Sequence, residues 1–115
     1  MKQLLKQGVD VNKISYGNTI KKISDIKYFY KQGVRLFVVD SENDLINIAK
    51  YAPNSKVFCR FLFDGGVSDW SLSKKFGCTT RMAIYLLYKA FVMGLTPFGV
   101  SFHVGSQQRS KIAWK

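Results

Sequence analysis

The sequence predicts an α/β fold in which about four parallel strands are joined by crossover helices. Strand-like and helical segments alternate in the order β-α-β-α-β-loop-α-β, in units of about 20 to 40 residues, as in chains that form parallel sheets. We expect each strand to be buried on both faces, as strands of parallel sheets are. Four such units make half of a (β/α)8 (TIM) barrel, whose usual length is about 250 residues. An independent doubly wound domain is the alternative, although the chain has no G-x-G-x-x-G turn for a dinucleotide.

The first unit consists of a short strand and a helix. The strand covers residues 13–17 and ends near Asn18. Ser24 is placed to cap a helix over residues 25–32, and Gly33 ends that helix because glycine readily adopts the left-handed conformation. A strand followed by a capped helix is the first half of a crossover connection.

The second unit begins with a dense β-branched and aromatic run, residues 34–40, which predicts a buried strand. Ser41 is the natural N-cap of the next helix, and the carboxylates of Glu42 and Asp44 favour its positive end. The apolar stripe of this helix consists of Leu45, Ile48 and Ala49. Residues 53–54, Pro-Asn, break the helix.

The third unit is a strand over residues 56–63, followed by a polar loop over residues 64–75. Thr79 or Thr80 begins a long helix to about residue 93, which Gly94 ends. The last strand covers residues 96–104, and the tail from 107 to 115 has no clear period.

Length and composition indicate one globular domain. The chain has 115 residues, 47% apolar and 15% aromatic, which is enough apolar surface for a core. It has no apolar run of the ~20 residues that a bilayer span needs, and residues 1–6 lack the features of a signal peptide. Cys59 and Cys78 are not in a C-x-x-C pattern and have no histidine at metal-ligand spacing. We therefore expect reduced thiols, no metal site and a cytoplasmic protein.

The net charge of +11 raises the question of a nucleic-acid partner. The lysines are scattered along the chain, and they do not alternate with aromatic residues in a pattern that would stack bases. The abundance of Ile, Asn, Tyr and Phe is what low-GC coding produces without selection for binding. We therefore expect a solvated basic surface and no nucleic-acid partner.

The strongest functional signal is the run from residue 97 to 106, which predicts a strand that ends in a small polar head. His103, the single histidine, lies near the end of the apolar run, Gly105 frees the backbone, and Ser106 adds a hydroxyl and an N–H. Ligands of α/β folds bind where parallel strands give way to loops. A ring that can stack or titrate, followed by Gly-Ser, suits an aromatic cofactor carrying a phosphate. A hydrogen-bonded core histidine and a plain Gly-Ser turn are the alternatives.

Four motifs, in their order along the chain, carry a resemblance to a known family. They are ISYGN at 14–18 with Lys21, GVRLF at 33–37 with DSE at 40–42, SLSKKFG at 71–77 and GVSFHVGSQQ at 99–108. Together they resemble the fold-type III pyridoxal-phosphate decarboxylases, which have an alanine-racemase-like barrel. The chain is most similar to the bacterial ornithine/lysine decarboxylases within this family, over almost its whole length. The Ser-Phe-His form of the last motif looks more like an ornithine decarboxylase than a diaminopimelate decarboxylase.

The resemblance implies pyridoxal 5'-phosphate as the cofactor and roles for three residues. His103 matches the histidine that stacks on the pyridine ring, Ser106 the serine that binds the phosphate, and Arg60 an arginine near the pyridine ring. Stacking would hold the scissile bond perpendicular to the π-system, and a hydroxyl with backbone amides satisfies phosphate oxygens. For Arg60, an ion pair at the rim of the barrel is an equally good interpretation. Cys59 and Cys78 match no catalytic cysteine of the family.

Other parts of the family's site find no match in this chain. The Schiff-base lysine stands in a motif of the type Ala-Val-Lys-Ala/Cys-Asn, which none of these lysines occupies. The Gly-rich phosphate loop, the acidic partner of the pyridine nitrogen and the C-terminal β-domain are also missing. We therefore expect residues 1–115 to be one partial barrel domain, truncated at both ends and inactive alone. A half barrel has two open sheet edges, which suit aggregation or pairing with a complementing half.

The resemblance implies a decarboxylase that converts a basic amino acid, ornithine or lysine, to a diamine and CO2 in polyamine biosynthesis, as a homodimer or with a complementing fragment. A decarboxylase-like interaction protein without activity is the main alternative. A nucleic-acid binder would show a steep fall of affinity with salt, and the scattered lysines argue against it. A racemase of the same fold is disfavoured by the Ser-Phe-His motif.

Overall fold

Four parallel strands form the main sheet of the computed structural model, which describes residues 1–63, 68–70, 75–108 and 111. The sheet has the order β1-β2-β3-β5, and each neighbouring pair is parallel. The alternation predicted from the sequence is therefore confirmed. In chain order the elements are α1 (Lys2–Lys6), a 3-10 helix (Val11–Lys13), β1 (Ser15–Tyr16), α2 (Ile23–Lys31), β2 (Leu36–Val39), α3 (Glu42–Tyr51), β3 (Lys56–Arg60), β4 (Ser68–Trp70), α4 (Thr80–Val92), β5 (Thr96–Ser101) and β6 (Ser106–Gln108).

Burial on both faces is confirmed for most of β2 and is wrong for β1, β3 and β5. The side chains of Phe37, Val38 and Val39 in β2 are buried, since β2 lies between two other strands. In β5, by contrast, Phe98 and Val100 are each more than half exposed. The reason is that the hydrophobic core covers one face of the sheet, so that side chains on the other face of β3 and β5 stay partly exposed.

The predicted N-cap of α2 is wrong. The helix begins at Ile23, and the N-cap is Lys22, whose carbonyl oxygen accepts hydrogen bonds from the N–H groups of Asp25 and Ile26. Ser24 therefore lies inside the first turn and cannot cap it. The predicted stop is confirmed, since Gly33 follows the helix at φ +94°.

Helices α3 and α4 begin where the sequence predicts, with different N-terminal chemistry. Thr79 caps α4 by accepting a hydrogen bond from the Met82 N–H at 3.2 Å. Ser41 occupies the N-cap of α3, but its side chain makes no capping hydrogen bond. Glu42, in the first turn of α3, instead accepts hydrogen bonds from Tyr85 and Lys89 of α4 and so joins the two helices.

Part of the predicted loop over 64–75 is a strand. Residues 68–70 form β4, which pairs antiparallel with β6 at the start of the predicted tail. Strands of three residues carry too little periodicity to be recognised in the sequence. The rest of that loop up to residue 74, and residues 109–110 and 112–115 of the tail, lie outside the described residues.

The main hydrophobic core lies between the sheet and the helices. Alternation along β3 turns Val57 and Cys59 into this core, whereas Phe58 and Arg60 lie on the opposite face and are half-buried. Other fully buried members of the core are Ile26, Phe37, Leu45, Ile48 and Leu86. No helix in the described part is long and apolar enough to cross a membrane.

Candidate functional site

The carboxyl ends of three neighbouring strands bring polar side chains to one edge of the sheet. Asp40 follows β2 directly, Arg60 is the last residue of β3, and His103 stands two residues beyond β5. Because these strands are parallel, their carboxyl ends lie at the same edge. The carboxyl ends of these strands are therefore the candidate site, at the place where the sequence predicted a site at His103 and Ser106.

His103 is exposed, and a local hydrogen bond fixes its ring. The predicted strand over 96–104 ends at Ser101. Beyond it the chain turns, and the Gly105 N–H donates a hydrogen bond to Nδ1 of His103 at 2.9 Å. Gly105 has φ +97°, a conformation that glycine adopts without strain. Since Nδ1 accepts a hydrogen bond, a neutral His103 ring carries its proton on Nε2. The exposure of His103 excludes the core interpretation of this histidine.

Ser106 is exposed and begins β6, immediately after this turn. Val104, between the two polar residues, is buried and anchors the turn to the protein. Backbone pairing of Ser106 with Trp70 then holds the start of β6 against β4. Backbone pairing therefore fixes the position of Ser106, three residues after His103.

Arg60 lies over an aromatic ring and forms no ion pair with any residue that the structure describes. Its guanidinium carbon is 5.4 Å from the centre of the Phe76 ring, in the range of a cation–π contact. The ion-pair interpretation of this arginine is thus not the one that the described residues support. Among the described residues, the ring of Phe76 is thus the contact of this guanidinium.

Residues 76–78, called here the clamp segment, are bound to the end of β3. The Cys78 N–H donates to the Arg60 carbonyl at 3.0 Å, and the Leu62 N–H donates to the Cys78 carbonyl at 2.7 Å. Strand β3 ends at Arg60, before the predicted residue 63, and Phe61 then forms an isolated parallel bridge with Cys78. The Gly77 N–H adds a bond of 2.9 Å to Oδ2 of Asp40. The clamp segment thus joins the ends of β2 and β3.

A cleft of about 360 Å³ lies beside the clamp segment and is bordered by a buried ion pair. Lys21, after β1, binds Asp44 in the first turn of α3, and both side chains are nearly inaccessible. Burial lowers the pKa of Lys21 and raises the pKa of Asp44, because desolvation outweighs the attraction of the partner. Thr19 Oγ1, also buried in the cleft wall, has no hydrogen-bond partner among the described residues. The pair fastens the loop after β1 to α3.

The thiols of Cys59 in β3 and Cys78 in the clamp segment are in contact. The Sγ atoms of Cys59 and Cys78 are 3.5 Å apart, and both thiols are free, as the sequence predicted. Burial raises the pKa of both thiols, so they stay protonated and are poor nucleophiles. In the described part of the chain no three His, Cys, Asp or Glu side chains converge as metal ligands.

Sequence reasoning gave no role to Asp40, Phe76 and Gly77. Asp40 carried a recognisable signal, since a carboxylate directly after a buried parallel strand lies where α/β proteins build their sites. The aromatic contact of Phe76 and the close approach of Gly77 depend on a long-range bridge that the sequence alone does not reveal.

Several known decarboxylases are similar to this chain in sequence or in fold. Residues 1–114 match the family described as "Pyridoxal-dependent decarboxylase, pyridoxal binding domain". The ornithine decarboxylase of Mus musculus is 37% identical over 99 residues, which are 86% of this chain and 22% of that protein. The arginine decarboxylase of Paramecium bursaria Chlorella virus superposes with a TM-score of 0.91 at 33% identity, covering 98% of this chain and 30% of that one. The lysine decarboxylase of Selenomonas ruminantium gives a TM-score of 0.87 at 32% identity, covering 98% of this chain and 30% of that one.

The chain therefore spans less than a third of the length of these relatives. Its parallel strands and crossover helices are the corresponding part of their alanine-racemase-like barrel, so the predicted fold class is confirmed. The match over residues 1–114 places this chain in the pyridoxal-dependent decarboxylase family, within the domain that binds pyridoxal phosphate, its cofactor.

Proposed function

We propose that residues 1–115 are one partial barrel domain of a cytoplasmic decarboxylase that acts on ornithine or lysine. The reaction would release CO2 from the α-carbon and leave a diamine for polyamine biosynthesis. The observation that carries this proposal is the position of Arg60 and His103 at the carboxyl ends of two paired strands, with Ser106 three residues after His103. Relatives named for ornithine, lysine and arginine support a basic amino acid as the substrate.

The three residues fit the cofactor by their chemistry. His103 presents an exposed ring whose orientation is fixed through Nδ1, so that it can stack on a pyridine ring. Ser106 offers a hydroxyl to a phosphate oxygen directly after the turn at Gly105. Arg60 brings a positive charge to the neighbouring strand end.

These residues bind and orient, and the cofactor supplies the chemistry. Bound pyridoxal phosphate provides an electron sink for the pair left behind when the carboxylate departs. His103 would hold the pyridine ring so that the scissile bond stays perpendicular to it, and Ser106 would fix the phosphate end. None of the lysines occupies the Schiff-base motif, so we expect no decarboxylation by this chain alone. A complementing fragment that carries this lysine would have to complete the site.

Binding of the cofactor tests the proposal directly. We expect titration with pyridoxal phosphate to quench the tyrosine and tryptophan fluorescence of the purified chain. His103→Ala should weaken the binding of both pyridoxal phosphate and pyridoxal, because it removes the stacked ring. Ser106→Ala should weaken pyridoxal phosphate alone, because pyridoxal has no phosphate. Equal binding by the wild type and both variants would contradict the assignment.

Release of CO2 from carboxyl-labelled ornithine or lysine tests the second part. With added pyridoxal phosphate we expect no release above buffer from the chain alone. Release that His103→Ala abolishes would show that one of these lysines replaces the unmatched one, and would overturn the proposed inactivity.

A further inference from the structure

We propose that Phe76 is a positioning residue that holds the guanidinium of Arg60 at the cofactor site. This inference rests on the proposed function, since it takes Arg60 as a cofactor-binding residue. The sequence alone assigned no role to Phe76, which is the first residue of the clamp segment.

Arg60 needs support because its side chain is long and only half-buried. An unsupported arginine samples many rotamers, and ordering it on binding costs free energy. Within the described residues no carboxylate pairs with Arg60. The ring of Phe76, at 5.4 Å from the guanidinium carbon, is the contact that restricts it. An aromatic face also leaves the N–H donors free, which a carboxylate would occupy.

Phe76 can act in this way because its own backbone is fixed. The next residue, Gly77, is bonded to Asp40, and Cys78 is bonded to the backbone of Arg60 and Leu62. The approach is so close that a Cβ on Gly77 would lie 2.9 Å from the Phe61 carbonyl carbon. The ring and the guanidinium are thus carried by two segments that are hydrogen-bonded to each other.

Chemical modification of arginine tests the contact without the cofactor. Phenylglyoxal reacts with accessible guanidinium groups, and mass spectrometry resolves the modified residues. We expect Phe76→Leu to speed the modification of Arg60 about threefold or more, whereas Phe76→Tyr keeps the ring and leaves the rate unchanged. Tyr30→Leu is the control for loss of a ring over another arginine, since the Arg35 guanidinium carbon lies 3.9 Å from the centre of the Tyr30 ring. It should leave the rate at Arg60 unchanged. An unchanged Arg60 rate in Phe76→Leu would overturn the proposal.

Cofactor affinity tests what the contact is for. We expect Phe76→Leu to weaken pyridoxal phosphate binding by roughly threefold to tenfold, and Phe76→Tyr to restore it. In a chain that already carries Arg60→Met, Phe76→Leu should weaken binding no further, because its effect passes through the arginine. Additive losses would show a merely structural Phe76 and overturn the proposal. Thermal unfolding of each variant shows whether the fold is kept.

Failure of the inference is distinct from failure of the proposed function. If His103→Ala and Ser106→Ala weaken binding while Arg60→Met does not, the cofactor site stands and the inference falls. If none of these variants changes binding, the proposed function falls, and the phenylglyoxal rates still decide whether Phe76 holds Arg60.

Discussion

Gly77 stands where the backbone leaves no space for a side chain. Its φ is +98°, and an added Cβ would lie 2.9 Å from the Phe61 carbonyl carbon and 3.0 Å from its oxygen. We therefore expect Gly77→Ala to lower the free energy of unfolding by about 2–4 kcal/mol, measured by urea denaturation.

Gly94 separates the two causes of that loss. It also has a positive φ, +76°, but a Cβ there would meet nothing within 4 Å. Gly94→Ala should therefore cost only the left-handed strain, about 1–2 kcal/mol. Equal losses at both glycines would mean that the close approach to Phe61 contributes nothing.

The buried pair of Lys21 and Asp44 predicts opposite results for single and double substitutions. Asp44→Leu leaves an uncompensated buried charge and should cost about 3–5 kcal/mol, whereas Lys21→Met with Asp44→Leu should be near neutral or stabilising. Urea denaturation of the three proteins measures this. A double variant as unstable as the single one would show that the pair itself stabilises the fold.

The pH dependence of Asp44→Leu gives a second measurement. The folded-state pKa of Lys21 is lowered from 10.5 chiefly by burial, and loss of the carboxylate lowers it further. Over the range between the folded and unfolded pKa values, the unfolded chain binds more protons than the folded one, so stability rises with pH. We expect the variant to regain stability as the pH approaches 10.5, and a flat profile would contradict this.

The N-termini of helices α3 and α4 differ in their side-chain caps. Thr79 Oγ1 accepts the Met82 N–H, while Ser41 makes no side-chain capping bond. We expect Thr79→Ala to cost about 1 kcal/mol of stability and Ser41→Ala clearly less, measured by thermal or urea unfolding. Equal costs would show that the missing bond at Ser41 forms in solution.

Elements with strong local signals were predictable from the sequence. The run that contains β2 is continuously apolar, and Gly33 and Gly94 end their helices with positive φ, as predicted. The two misses have different causes, one distant and one local. Residues 68–70 form a strand because β6 lies beside them, and Ser24 does not cap because the carbonyl of Lys22 closes the first turn.

The candidate site divides in the same way. His103 and Ser106 could be found because ring, glycine and hydroxyl follow one another within four residues. The contact between Phe76 and Arg60 joins two segments through a bridge between distant residues, which no local pattern encodes. Local chemistry was thus visible in the sequence, and the support behind it was not.

In the whole molecule, β5 combines an edge position in the described sheet with exposed apolar side chains. The strand has one hydrogen-bonded neighbour in the described structure, and Phe98 and Val100 are 59% and 58% exposed. We expect the purified chain to self-associate through this edge, and more so in high salt, which screens the charge of +11. Sedimentation velocity should show less association for Val100→Lys.

A control on another face tests whether the edge is responsible. Phe91 on α4 is 70% exposed, so that Phe91→Lys removes a similar apolar surface away from β5. We expect it to leave association largely unchanged. Association reduced equally by both variants would indicate a general effect of charge and apolar area.

The contact of Cys59 with Cys78 offers a way to measure how often the clamp segment detaches from β3. Both thiols are shielded, and burial raises their pKa values, so a thiol reagent attacks only molecules in which the segment has opened. When closing is fast, the reaction rate equals the open fraction multiplied by the rate for a free cysteine. The native chain, without any attached probe, thereby reports the local opening free energy beside the cofactor site.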